Sequence, residues 1–283
     1  ALREVRRFEE AIAAHETARD LHHELGDTHA EAGAWNNLGA ALREVRQFEE
    51  AIAAHETARD LHHELGDTHA EASAWNNLGA ALQAVRRFEE AVAAHETARD
   101  LYHELGDTHG KAGAWDNLGI ALREVRQFEE AIAAHETARD LYHELGDTHA
   151  EASAWNNFGA ALQAVRRFEE AVAAHETARD LYHELGDTHA EATAWNNLGA
   201  ALREVRRFEE ALAASERAAA MLADEKDAFR SGEALGELAY TVAKAGASAA
   251  EVRAVWLRAA AVYEQAGALA EAAEAQARAD KGT

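Results

Sequence analysis

The chain has 283 residues, contains neither Pro nor Cys and carries a formal net charge of −24. The lack of Cys excludes a disulfide framework and a thiolate metal site, and the acidity disfavours binding to a phosphate backbone. No apolar run approaches the length of a membrane span. We therefore expect no nucleic-acid or membrane partner and a cytoplasmic location. Since the first residue is not Met, we also expect the chain to be part of a longer protein.

The sequence repeats itself with a period of forty residues. Residues 1–40 and 41–80 differ at two positions only, and the same block recurs from residues 81, 121 and 161. A sixth block opens at residue 201 and keeps the pattern to about residue 214. One such unit cannot bury its apolar faces alone, so the repetition predicts a stack of identical units.

Each block predicts two antiparallel helices. Thr68 and Glu71 have the spacing of a capping box, which predicts the start of the first helix. Apolar residues then follow at steps of three and four, a break falls at residues 86–87, and a second helical pattern begins at Phe88. Gly106 predicts a left-handed cap at the end of that second helix.

Two residues of the first helix are expected to lie at its interfaces. Gly79 lies in the middle of the first helix, where Gly destabilises the helix by about 1 kcal/mol relative to Ala. Its presence there indicates that a neighbouring helix approaches too closely for a side chain. Trp75 is large enough to dominate the contact between neighbouring units.

The last part of the chain departs from the repeat. Gly246 and Gly267 predict helix ends, and Ser248 predicts the start of a helix between them. We predict a tandem array over residues 1–226, whose N-terminal half-repeat lacks the start of its first helix, and a degenerate hairpin with a C-terminal capping helix over residues 227–283. The face of residues 8–25 should then be partly bare, and it is a candidate surface for end-to-end self-association.

The block closely resembles the tetratricopeptide repeat, strongly to about residue 214 and weakly over residues 227–266. The residues that carry the resemblance are Trp75, Leu78, Gly79, Leu82, Phe88, Ala91 and Ala98. It implies an all-α, right-handed superhelical solenoid of antiparallel helix hairpins whose concave surface, lined by first helices, binds extended peptides. The forty-residue length is similar to that of kinesin light chains, Leu-Gly-Asn repeat adaptors and repeat arms of actinobacterial regulators. His95 departs from the family's usual aromatic residue, which predicts looser packing or a hydrogen bond.

A polar stripe on the first helices is the candidate peptide-binding surface. Asn offers a donor and an acceptor together, which matches a peptide main chain of any sequence. We expect replacement of Asn76 and Asn156 to abolish binding and to leave melting almost unchanged. The alternatives are that these residues only solvate an open groove, or that the chain is a structural spacer or sensor arm without a groove ligand. The candidate residues are Asn36, Asn37, Arg43, Asn76, Asn77, Gln83, Asp116, Asn117, Arg123, Asn156, Asn157, Gln163, Asn196, Asn197 and Arg203.

Catalytic and metal-binding motifs are weak. The segment from His63 resembles the start of a zinc-protease helix, but the position for the second His holds Asp67. Glu49 and Glu50 suit the positive end of a helix better than acid–base catalysis. We therefore predict a binding scaffold that is not an enzyme and has no cofactor or metal, with a protein or peptide as its partner. Adventitious metal binding by surface His residues is a minor alternative.

Overall fold

The fold consists of helices alone. The computed structural model describes residues 2–224 and 227–281, with side chains for residues 7–223 and 227–281. Within these residues there are fourteen α-helices and no strand, so the predicted all-α fold of antiparallel helix hairpins is confirmed. The chain forms two compact units, Ala1–Gly146 and Asp147–Thr283. The predicted boundary at residue 226 lies outside the described residues, and the division into array and cap stays a prediction.

Each unit is a series of hairpins in which a first and a second helix pack antiparallel. The first unit contains α1 (Leu2–Leu25), α2 (Thr28–Glu44), α3 (Phe48–Leu65), α4 (Thr68–Ala84), α5 (Phe88–Leu105), α6 (Thr108–Glu124) and α7 (Phe128–Leu145). The second unit contains α8 (Thr148–Ala164), α9 (Phe168–Leu185), α10 (Thr188–Glu204), α11 (Phe208–Asp224), α12 (Ala228–Lys244), α13 (Ala249–Gln265) and α14 (Leu269–Lys281).

The first helices begin at an aspartate. The side chain of Asp67 accepts a hydrogen bond from the backbone N–H of Ala70 at 3.1 Å, and Thr68 is the first helical residue. The predicted capping box of Thr68 and Glu71 is therefore wrong. A carboxylate is a good acceptor at a helix N-terminus, and the Glu71 carboxylate instead contacts His63 Nδ1 at 3.1 Å.

The two turns of each repeat use the left-handed backbone region in different ways. Gly106 ends α5 with φ 69°, which confirms the predicted cap and places no side chain in a strained conformation. The turn between α4 and α5 instead puts Arg86 at φ 64°. This conformation recurs in every repeat turn of the array, at Arg46, Arg86, Arg126, Arg166 and Arg206.

Close approach within the hairpin explains the glycine inside the first helix. A Cβ placed on Gly79 would lie 2.5 Å from the Cε1 atom of His95, which is 0% exposed. Small residues such as Ala72 and Ala98, both fully buried, allow the helices to cross closely. The predicted close approach is confirmed, and the group that requires it is the imidazole of the second helix.

Trp75 lies at an interface, as expected, but is only half-buried. It packs against the core cluster that contains Ala98 and Ala114, while the guanidinium of Arg59 lies 4.6 Å from the ring centroid. Its Nε1–H donates to Glu71 at 3.4 Å. The indole thus joins neighbouring repeats by packing and by a cation–π contact.

The first helix of the chain is continuous. The predicted N-terminal half-repeat continues without a break into the second helix, since α1 (Leu2–Leu25) is helical throughout. As predicted, the face of this helix is partly bare: Leu25 is 77% exposed, whereas Leu65 in the following second helix is 43% exposed.

The C-terminal helices follow the predicted boundaries. Gly246 and Gly267 have φ 89° and 73°, and Ser248 and Glu251 form a reciprocal capping box. Trp256 on α13 is 4% exposed and belongs to the core that also contains residues of α10, α11, α12 and α14. None of the described helices is long and apolar enough to cross a membrane.

Candidate binding face of the first helices

The polar stripe predicted from the sequence lies on one face of the first helices in both units. We call it the first-helix face and define it by the fifteen candidate residues given above. All of them are half-buried except Asn37, which is exposed. Ala80 and Ala200 are half-buried, and each lies on its helix between the Asn positions and the Gln or Arg position.

In three of the adjacent Asn pairs, the first Asn is fixed by two hydrogen bonds. The Oδ1 atom of Asn76 accepts from the Nδ1–H of His95 at 2.9 Å and from the Nδ2–H of Asn117 at 3.2 Å. The first bond lies within the hairpin and the second reaches the next first helix. The same pairs of donors bond Asn36, through His55 and Asn77, and Asn156, through His175 and Asn197.

This network assigns different roles to the two Asn positions. The Oδ1 atom of Asn76 already has two donors, so this oxygen has no capacity left for a ligand. Asn117 uses one amide hydrogen, and no donor from the described residues reaches its Oδ1 atom. The side-chain carbonyls of Asn77, Asn117 and Asn197 are alike in this respect, because each amide donates one N–H to the preceding first helix.

The third hairpin (α6 and α7) has a carboxylate–imidazole contact in place of this amide–imidazole bond. Asp116 and His135 lie 2.7 Å apart, and their side chains are 15% and 0% exposed. The aspartate that interrupts the Asn row thus occupies the same position and bonds the same histidine. It preserves the geometry of the hairpin and adds a charge to it.

The Gln and Arg positions of the stripe are also held by the protein. The Nε2–H of Gln83 donates to the backbone carbonyl of Asn117 at 3.1 Å. Arg123 lies 3.4 Å from Glu124, and Arg203 pairs with both Glu204 and Glu237. The following glutamates thus neutralise these arginines, and the stripe has little unbalanced positive charge.

Three histidines of the network, His55, His95 and His175, are neutral at physiological pH. Burial lowers the pKa of His95 and of His175 from 6.5 to about 4. Burial, followed by the positive charge of Arg43, has the same effect on the pKa of His55. The neutral imidazole donates from Nδ1 to the Asn, so its Nε2 is an acceptor. In the hairpin of α8 and α9, Gln163 donates to the Nε2 atom of His175 at 2.9 Å.

The network ends at Asn196, a feature that the sequence reasoning missed. In the preceding repeats the two donors lie nineteen and forty-one residues after the Asn. Those positions are Ser215 and Glu237 for Asn196, and its buried Oδ1 has no donor among the described residues. Both donor residues are visibly replaced in the sequence. Only the structure shows that the two donors of the preceding repeats bond to one acceptor.

Surface histidines of the repeats are paired with carboxylates. His69 lies 3.2 Å from Asp107, and His63 lies 3.1 Å from Glu71. Across the described residues, no group of three or more His, Asp or Glu side chains is arranged to hold a metal ion.

Comparison with known proteins identifies the repeat. The tetratricopeptide repeat profile matches residues 31–104, 70–144 and 150–224. A search of the curated proteins gives no match.

Several solved structures share the fold. BtubC (BKLC) from P. vanneervenii superposes with a TM-score of 0.69 at 21% identity, over 77% of this chain and 92% of that one. A Rap protein complexed with competence and sporulation factor gives a TM-score of 0.64 at 15% identity, over 89% and 75% of the two chains.

A third structure is a signal transduction ATPase with numerous domains and a tetratricopeptide repeat sensor, from Pyrococcus horikoshii. It gives a TM-score of 0.70 at 14% identity, covering 94% of this chain but 44% of that one. At these identities the likeness concerns the fold alone. The repeated match to the family profile, together with the hairpin geometry, shows that the chain belongs to the tetratricopeptide repeat family.

Proposed function

We propose that the chain is a non-catalytic scaffold that binds an extended protein segment along the first-helix face. The observation that carries the proposal is the half-buried amide carbonyls at Asn77 and Asn117 in the first unit and at Asn197 in the second. Each amide group is held in place by a hydrogen bond to the preceding first helix, so little side-chain entropy is lost on binding. A cytoplasmic location remains part of this proposal.

Two further observations support this function. Small residues such as Ala80 leave space beside the amides, and the family to which the chain belongs generally mediates contacts between proteins. Among proteins with the same fold, a Rap protein has been crystallised with competence and sporulation factor. Another acts as a sensor in a signal transduction ATPase, which is compatible with a role as the sensor arm of a larger regulator.

The experiment is a selection of unstructured peptides on the intact chain, followed by binding measurements with a blocked face. The Ala80→Arg variant places a long side chain on the first-helix face without removing a hydrogen bond of the network. We expect this variant to lose binding of the selected peptides. Ala93→Arg, at an exposed position of α5, adds the same charge away from the face and should bind as the unmodified chain does.

The proposal is abandoned if the selected peptides bind Ala80→Arg and Ala93→Arg equally well, or if selection yields no binding peptide. Circular dichroism of both variants verifies that they fold, since each position is at least partly exposed.

End-to-end self-association is a second candidate function, favoured by the bare face of α1. Leu21 is 52% exposed and Leu25 is 77% exposed, and exposed apolar side chains in one patch favour association. Light scattering across concentration tests this candidate. A Leu21→Lys and Leu25→Lys variant should remain monomeric where the unmodified chain associates, and a concentration-independent monomer for both would reject it.

A further inference from the structure

A cavity of about 420 Å³ lies within the second unit, between α10, α12, α13 and α14. It is where the hydrogen-bond network of the first helices ends, since Asn196 lines it. Its walls include three aromatic side chains, Tyr240, Trp256 and Tyr263. Tyr240 and Trp256 meet edge to face, with their ring centroids 5.1 Å apart.

The charges around the cavity favour a cation. Four glutamates and two arginines line it, and two of those glutamates, Glu237 and Glu274, form ion pairs with Arg203 and Arg278. Glu233 and Glu271 add negative charge, which Arg230 partly offsets; burial raises the pKa of Glu233, and the positive charge of Arg230 opposes that shift. Burial, together with these carboxylates, raises the pKa of Tyr263 to about 12, because a negative phenolate is disfavoured there.

The protein itself shows which cation the aromatic walls accept. The guanidinium of Arg278 on α14 lies 5.2 Å from the ring centroid of Tyr240 and 5.3 Å from that of Trp256. Its Nη2 atom lies 2.6 Å from Glu274. An arginine between aromatic rings and a carboxylate is a favourable cation–π arrangement.

Two buried polar atoms of the cavity residues are unpaired. The Oδ1 atom of Asn196 has no donor, and the Nε1–H of Trp256, whose residue is 4% exposed, has no acceptor in the described part of the chain. Buried polar atoms without partners are rare in folded proteins. Both atoms belong to residues that line the cavity, which marks its wall as a place where the polar groups of the described chain are incompletely paired.

We propose that this cavity binds an arginine side chain of the partner segment, with Glu233 and Glu271 as counter-charges and Tyr240, Trp256 and Tyr263 as the aromatic walls. The inference rests on the proposed function for the segment, and it adds the chemistry of one residue of that segment. Arg278 occupies part of the same aromatic surface, so it competes with the incoming guanidinium.

The test uses N-acetyl-arginine amide with the full chain, and its uncharged isostere N-acetyl-citrulline amide as the control ligand. Binding is followed by the indole N–H resonance of Trp256, identified with a Trp256→Phe variant. We expect a saturable shift with the arginine probe only. The double variant Glu233→Gln and Glu271→Gln should weaken binding by roughly threefold to tenfold, whereas Arg278→Ala should strengthen it.

A matched control is Glu89→Gln with Glu129→Gln, which removes the same charge from exposed positions of the first unit. The inference is overturned if citrulline shifts the resonance equally, or if both double variants bind the arginine probe alike. Failure of the proposed function is a separate result. In that case the amino-acid probe binds, but an arginine-containing decapeptide binds no more tightly than the probe does. The affinity of the decapeptide is then also unchanged by Ala200→Arg on the first-helix face.

Discussion

The Nδ1–H of His95 donates to the Oδ1 atom of Asn76 over 2.9 Å, and this bond joins the two helices of a hairpin at the point where Gly79 lets them approach. The same oxygen accepts from Asn117 of the next first helix. One side-chain oxygen therefore couples the packing within a hairpin to the stacking of neighbouring hairpins. The polar stripe holds neighbouring hairpins together, and in the proposed function it also offers a surface to a partner.

Asn76→Ala should lower the free energy of unfolding by about 1–3 kcal/mol, because it leaves the buried Nδ1–H of His95 unpaired. This revises the expectation that melting would be almost unchanged. Urea denaturation with local hydrogen exchange measures the loss. Asn37→Ala is the control: Asn37 is exposed, and its replacement should change stability by no more than about 0.5 kcal/mol. Equal melting of both variants would refute a stabilising role for the network.

Acidification should destabilise the fold through the buried histidines. The folded-state pKa of His95 is about 4, below the usual 6.5, so the unfolded state binds more protons between these values. The stabilisation is complete above pH 6.5 and is lost as the pH falls towards 4, at about 3 kcal/mol per histidine. Denaturant midpoints from pH 7 to pH 4 measure it.

The contribution of one histidine is isolated by His95→Ser, which reproduces the residue that the sixth block carries at Ser215. This variant should be less stable at pH 7 and should lose less stability on acidification than the unmodified chain. An unchanged pH dependence would assign the acid sensitivity to other groups, such as Asp67, whose pKa is lowered mainly by its hydrogen bond from the backbone of Ala70.

Local patterns predicted the helices well, whereas contacts between distant residues could not be predicted. The ends at Gly106 and Gly246 follow from backbone preferences that each residue carries itself. The bond of Asn76 to His95 depends on how two helices cross, which periodicity does not specify. Near-identity of the blocks also concealed the place where the network stops, since Asn196 looks like Asn36, Asn76 and Asn156 until its donors are located.

Replacement of glycines inside the first helices should have opposite effects at two positions. Gly79→Ala would place a Cβ 2.5 Å from the His95 ring, so the imidazole must shift and its bond to Asn76 weakens. Gly33→Ala has no atom within 4 Å of the new Cβ and should stabilise the protein by about 0.5–1 kcal/mol, the gain in helix propensity. Thermal melting of the two variants compares them directly, and stabilisation by both would contradict the close packing at Gly79.

The turns between the helices contain strain that a single substitution can relieve. Arg86 has φ 64°, a conformation that costs a residue with a side chain roughly 1–2 kcal/mol and Gly very little. Arg86→Gly should therefore stabilise the chain, by about 0.5–1 kcal/mol after the greater entropy of Gly in the unfolded state is subtracted. The side chain contributes little in return, since its guanidinium lies 5.9 Å from the Phe88 ring at an exposed position.

Arg86→Ala is the matched control, because it removes the same side chain and keeps the strained backbone, and it should give no stabilisation. If Ala stabilises as much as Gly, the gain comes from the lost side chain and the turn is not strained.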